Sequence, residues 1–98
     1  NNRIQYLHTH SREEVTNKTL GEYFGYHPNH LNRLITKQTG MSIHQYLINC
    51  RIDAAIDMLQ ASDLKTDEIS EAVGFRNTTH FLKYFKKFTG KTTRDFRQ

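Results

Sequence analysis

Apolar residues along this chain recur three and four positions apart rather than alternating, a pattern that predicts helices and no strands. The clearest instance is Phe81, Tyr84, Phe85 and Phe88, at i, i+3, i+4 and i+7, a stripe that a helix turns toward a core. Seven helices are expected: Ile4 to His10, Asn17 to Phe24, Pro28 to a stop at Gly40, Ser42 to Ala61, one opening at Thr66, one from after Asn77 to Gly90, and Thr92 to Arg97. Local chemistry marks their ends. Pro28 suits a first helical turn, and Gly40 and Gly90 suit helix stops. Ser42-Ile43-His44-Gln45 has the form of a capping box, and Asn77 is a good cap. Asp67 and Glu68 follow Thr66, where the helix dipole favours acids. In the long fourth helix Ile43, Tyr46, Leu47, Cys50, Ala54, Ala55, Met58 and Leu59 are expected to make one apolar face.

The chain also repeats itself. Leu20-Gly21-Glu22-Tyr23-Phe24-Gly25-Tyr26 aligns with Ile69-Ser70-Glu71-Ala72-Val73-Gly74-Phe75 at an offset of 49. Past the turn the offset becomes 50, and His30-Leu31, Leu34-Ile35, Lys37, Thr39-Gly40 and Tyr46 match His80-Phe81, Tyr84-Phe85, Lys87, Thr89-Gly90 and Phe96. Each copy is a short helix, a glycine-containing turn and a longer helix ending in Thr-Gly. That is the helix-turn-helix plan, whose second helix enters a DNA major groove. Small residues, Gly21 and Ser70, stand where the two helices of each copy approach.

The second helices have two faces. Opposite the aromatic stripe lie Thr79, Lys83 and Lys86, flanked by Thr78, His80 and Lys87. Fifty residues earlier Leu31, Leu34 and Ile35 face inward, while Asn29, Arg33 and Thr36 point away with Asn32 and Lys37 beside them. Amides, hydroxyls and cations are the groups that read base edges and phosphates. For any one of these residues a solvated side chain is the simpler explanation. Two helices with the same face at repeat-related positions favour recognition. The connecting helix of about 20 residues spans about 30 Å, near the ~34 Å between successive major grooves on one side of a duplex.

Composition adds limits. Ninety-eight residues, 36% hydrophobic, make one small domain. The mean hydropathy is −0.77. No apolar run approaches the ~18 residues of a membrane span, and the polar start NNRIQYLHTH does not read as a signal peptide. The single Cys50 excludes an internal disulfide framework and fits a reducing compartment. The net charge of +4 is unevenly spread: Arg76, Lys83, Lys86, Lys87, Lys91, Arg94 and Arg97 oppose only Asp95. An acidic strip, Asp53, Asp57, Asp63, Asp67, Glu68 and Glu71, opposes only Lys65. It reads as a solvated side that DNA repels, or as a contact for a protein partner. His8 with His10, or His27 with His30, could supply two metal ligands each, but no further ligands accompany them. Cys50 lacks the base and electropositive setting of a nucleophile. Neither a metal, a cofactor nor catalysis is therefore expected. The competing reading is a helical protein-interaction module or a general RNA binder. RNA binding usually brings exposed rings for stacking, and the rings here fall mainly on the inward stripe.

At this point the residues resemble a known family, the DNA-binding domains of AraC/XylS transcription regulators. The match runs from about Ile4 to Arg97. Its signature is Glu68-Ile69-Ser70-Glu71-Ala72-Val73-Gly74-Phe75, then Asn77, Phe81, Phe85-Lys86-Lys87, Gly90 and Phe96-Arg97. Along the connector Tyr46-Leu47, Arg51-Ile52, Ala55 and Met58-Leu59 fit as well. The resemblance implies an all-α, tandem, homeodomain-like fold. Its two helix-turn-helix subdomains, about 4–41 and 64–97, would be joined by a linker helix at about 42–61. It implies binding of bacterial promoter DNA in the cytoplasm, on the nucleoid. By position, base contacts would come from Asn29, Asn32, Arg33, Thr78, Thr79, His80 and Lys83. Phosphate contacts would come from Asn17, Thr36, Lys37, Thr66, Lys86 and Lys87. RNA polymerase is an implied partner, as is an effector-sensing or dimerisation domain N-terminal to residues 1–98, with NNRIQYLHTHSREE as the far end of a linker. Three departures stand out: Thr93 replaces the usual proline, Gly21 and Ser70 replace the usual alanine, and Leu82 replaces a small polar residue.

Overall fold

The computed structural model describes residues 2–13 and 15–97. Asn1 and Glu14, which the linker reading included, lie outside the described residues, as does Gln98. Seven α-helices, and no strand among the described residues, make up the fold. They are α1 (Asn2–Thr9), α2 (Asn17–Phe24), α3 (Pro28–Thr39), α4 (Ile43–Ala61), α5 (Thr66–Ala72), α6 (Thr78–Thr89) and α7 (Thr93–Phe96). The chain packs as two compact units that divide between Ile48 and Asn49, inside α4.

In the first unit Leu7, Leu20, Leu31, Ile35, Ile43 and Leu47 form the core, with Ile4, Tyr6, Val15, Phe24 and Tyr46 packed against it. In the second unit Ile52, Ala55, Leu59, Ile69, Val73, Phe75, Phe81 and Phe85 are buried. Its rings interlock: Phe81 meets Phe85 at 5.7 Å and Phe75 at 5.3 Å, and Phe85 meets Phe96 edge-on at 5.3 Å. Arg51 lies half-buried with its guanidinium 5.7 Å from the Phe75 ring centre. Burial pulls its pKa below the ordinary arginine value.

The single apolar face expected of α4 needs correction. Ile48 and Ile52, left out of that face, are 2% and 1% exposed, whereas Tyr46, Ala54 and Met58 are only half-buried. The helix carries two stripes. One runs through Ile43, Leu47 and Cys50, the other through Ile48, Ile52, Ala55 and Leu59, each at steps of three and four. A helix with apolar groups on two sides has no clean single period. At the other end of the chain α1 begins at Asn2 and stops at Thr9, rather than running from Ile4 to His10. Neither of its ends carries a strong sequence signal.

The expected role of Gly21 is sharpened. A Cβ at this position would lie 2.6 Å from the Tyr26 carbonyl oxygen and 3.3 Å from Pro28 Cγ. The turn itself presses on the helix, held by the Tyr26 N–H donating to the Gly21 carbonyl at 2.9 Å. In the second copy the turn between α5 and α6 is longer, and Ser70 carries a buried side chain. Alanine gains about 1 kcal/mol over glycine in helix propensity, but the overlap is with backbone that cannot rotate away. Gly21→Ala is therefore expected to destabilise by about 1–2 kcal/mol net, read as a lower urea midpoint. A midpoint equal to or above the parent's would show that the turn yields freely.

Candidate nucleic-acid interface

The second helices of the two copies, α3 and α6, are each capped by a side chain at the start and closed by the same Thr-Gly device at the end. At the start of α3, His27 Nδ1 accepts from the Asn29 N–H at 3.2 Å. At the start of α6, Asn77 Oδ1 accepts from the N–H groups of Thr79 and His80 at 2.8 and 3.2 Å. At the far ends the Thr39 hydroxyl shares its one proton between the Ile35 and Met41 carbonyls, at 2.8 and 3.0 Å, and accepts from the Met41 N–H at 3.1 Å. Thr89 does the same with Phe85 and Lys91, at 2.7, 3.0 and 3.1 Å. Gly40 and Gly90 then take φ of 77°, a left-handed turn that glycine adopts without a Cβ clash. The element that follows opens with a side-chain cap, reciprocal in the first copy and one-sided in the second. Gln45 donates its N–H to Ser42 Oγ and its side chain accepts from the Ser42 N–H. Asp95 likewise accepts from the Thr92 N–H at 3.1 Å. Hydrogen bonds from the Thr92 backbone and hydroxyl, and then the charges of Lys91 and Lys86, hold the Asp95 carboxyl below its ordinary pKa.

These frames fix what each helix exposes. On α3, Asn29, Arg33, Thr36 and Lys37 are exposed, and Leu31 and Ile35 are buried. On α6, Thr79, His80, Lys83, Lys86 and Lys87 are exposed, Thr78 is half-buried, and Phe81 and Phe85 are buried. Asn29, Arg33 and Thr36 on α3, and Thr79, Lys83 and Lys86 on α6, thus share the side opposite the core, whereas Thr78 and Asn32 lie toward its flank. The Thr36 hydroxyl donates to the Asn32 carbonyl at 2.8 Å, so its remaining lone pairs face outward.

Asn32 differs from its neighbours. It is half-buried, and its Oδ1 accepts from the Ile43 N–H at 2.9 Å, tying α3 to the first turn of α4. That bond links residues 11 apart in sequence, and nothing local predicts it. The repeat-related pair, Leu82 and Thr93, has no such bond available, because leucine offers no acceptor.

Of the two helix starts, Asn17 is exposed at the head of α2, which Thr16 and Thr19 cap reciprocally. Thr66 is half-buried at the head of α5, where Glu68 accepts from the Lys65 N–H at 2.9 Å and Asp67 accepts from the Glu68 N–H at 3.0 Å. Two carboxylates therefore occupy that start. Arg94, which follows α6 and is exposed, lines a groove with Leu82, Lys83, Lys86 and Lys87. It was visible only as one charge of the basic run. Two rings lie outside the inward set: Tyr23 is 65% exposed and Tyr26 36%. One face of Tyr23 is covered by Tyr6 at 4.4 Å. Among the described residues no three His, Cys, Asp or Glu side chains gather as a metal site, and no helix is long and apolar enough to cross a membrane.

Comparison with known proteins gives a consistent picture. The helix-turn-helix domain family matches residues 20–98. The HTH-type transcriptional regulator YobQ of Bacillus subtilis (strain 168) is 37% identical over 94 residues, 96% of this chain. The chain spans 39% of that protein's length. The C-terminal domain of AraT, a response regulator from Geobacillus stearothermophilus, superposes with a TM-score of 0.90 at 29% identity, over 98% of this chain and 80% of that one. The DNA-binding domain of AdpA, a global transcriptional factor solved with a target DNA, has the same fold, with a TM-score of 0.90 at 24% identity over 98% of this chain and 86% of that one.

Proposed function

The chain belongs to the AraC-type helix-turn-helix family of transcription regulators, and from that premise we propose that it binds specific promoter duplexes through α3 and α6, each in a major groove. The observation that carries this reading is the matched construction of the two helices. A side-chain cap at each start and matching Thr-Gly stops hold a buried apolar stripe on one side and amides, hydroxyls and cations on the other. Helix α4 has 19 residues, about 28 Å at 1.5 Å per residue, comparable with the ~34 Å groove repeat. On this reading α3 and α6 enter successive grooves.

Asn29 and Arg33 from α3, and Thr78, Thr79, His80 and Lys83 from α6, contact bases. Asn32 joins them with only its Nδ2 donor, because Oδ1 is committed to Ile43. It then suits an acceptor such as guanine O6 or thymine O4, not the donor-acceptor pair of adenine. Thr36, Lys37, Lys86 and Lys87 hold phosphates, as does the start of α2 at Asn17. Thr66 joins only through its hydroxyl, since Asp67 and Glu68 repel a phosphate from the amides of α5.

The domain acts by binding, without catalysis, a metal or a cofactor, in the cytoplasm and on the nucleoid. A sensing or dimerisation domain elsewhere in the parent regulator is supported by the greater length of YobQ. The acidic strip from Asp53 to Glu71, whose carboxylates are exposed, is a solvated side that DNA repels, with contact to RNA polymerase as the alternative role.

The test is selection of bound duplexes from a random library, followed by affinity measurement at one salt concentration. The selected duplex is expected to bind at least about 10³-fold more tightly than a scrambled one. Equal or tighter binding of single-stranded RNA would instead favour the exposed Tyr23 and Tyr26 as stacking platforms and overturn the duplex reading.

A further inference from the structure

Leu82 is the large apolar side chain that α6 leaves exposed, at 41%. It precedes Lys83 and stands one turn from Lys86 on the helix. Together with Lys83, Lys86, Lys87, Thr92, Thr93 and Arg94 it lines a groove of about 770 Å³ in the second unit. Most of the groove's exposed lining is apolar, yet four of these side chains are cationic. Such a groove has a definite chemistry. The cations gather a polyanion, while Leu82, the one apolar side chain in the lining, offers a phosphate or a base N–H nothing to bond.

Among the base edges of a major groove, one group is apolar: the C5-methyl of thymine. We infer that Leu82 reads a thymine methyl in the half-site bound by α6, making it a specificity-determining residue. The inference rests on the duplex-binding reading above. It is argued from the repeat as well as from exposure. At the matching position of α3, Asn32 turns its oxygen to the Ile43 N–H and serves the fold. Leu82 makes no such bond at Thr93, and that leaves its side chain to meet the ligand. The two halves of the operator then differ in kind, a polar acceptor opposite residue 32 and a methyl opposite residue 82.

The experiment uses the duplex recovered by random-library selection, with each thymine replaced in turn by deoxyuridine, which removes only the methyl. For the parent chain, one or two thymines on the α6 side are expected to lose about fourfold in affinity, the value of one buried methylene-sized group. Leu82→Ala and Leu82→Asn are expected to bind the thymine and uracil forms alike at those positions, closing a double-mutant cycle. Their melting temperatures should match the parent's, because the side chain is not part of the core. The inference is overturned if no thymine is sensitive in the parent chain, a result that needs no variant. It is equally overturned if the sensitivity persists in Leu82→Ala, or if both variants melt early and Leu82 merely supports α7. A parent chain that discriminates no duplex from any other takes down the duplex reading itself, before any uracil is introduced.

Discussion

Phe85→Ala is expected to cost the second unit about 3–5 kcal/mol, which is most of the stability a small unit possesses. Phe85 is fully buried on α6, edge-on to Phe96 at 5.3 Å and 5.7 Å from Phe81. Truncation leaves a cavity bounded by two rings that cannot both collapse into it. The thermal midpoint should fall by about 15 °C or more, and with it the binding that depends on α6. Lys83→Ala, two residues away on the opposite side, is the contrast: its midpoint should stay near the parent's while affinity drops. If Phe85→Ala melted like the parent, the aromatic stripe would not be the core of this unit.

The second large effect concerns recognition. Arg33→Ala is expected to lose about 1–3 kcal/mol on the selected duplex, roughly 5- to 150-fold, if its guanidinium makes a bidentate contact to guanine. On scrambled duplexes the loss should be small. Lys86→Ala should behave in the opposite way, weakening all duplexes by a similar factor and reducing the salt slope by about one. Both side chains are exposed on helices whose ends are fixed by other residues, so neither change should disturb the fold. Equal losses on selected and scrambled DNA for Arg33→Ala would move that residue from base reading to phosphate holding.

The starts and stops of α3 and α6 were legible in the sequence because they are set by chemistry within four residues. Pro28, Asn77, and the two Thr-Gly pairs each act on backbone groups close by. The inward stripe of α6 was legible for the same reason, since one core lies on one side. What escaped depended on packing between elements. Helix α4 was read with a single face, and a periodic pattern cannot reveal that Ile48 and Ile52 form part of a second stripe. The bond from Asn32 to the Ile43 amide joins two helices, so residue type alone put Asn32 with Asn29 among base-reading amides. Leu82 stood out in the sequence only as a departure from the small polar residue usual in the family. Its place in a cationic groove came only with the position of Arg94 beyond the end of α6.

The caps and the Thr-Gly stops use Thr39, Thr89, Ser42, Gln45, Thr92 and Asp95, none of which is among the proposed base-reading residues. In the second copy the frame and the alphabet are therefore separate. Thr79, Leu82 and Lys83 can be exchanged by mutation for other letters while the helix keeps its place. In the first copy Asn32 belongs to both, and a change there alters what is read and also how α3 is anchored to α4. A regulator built this way would acquire new operators more readily through α6 than through α3, with the first copy preserving its half of the site as the second drifts.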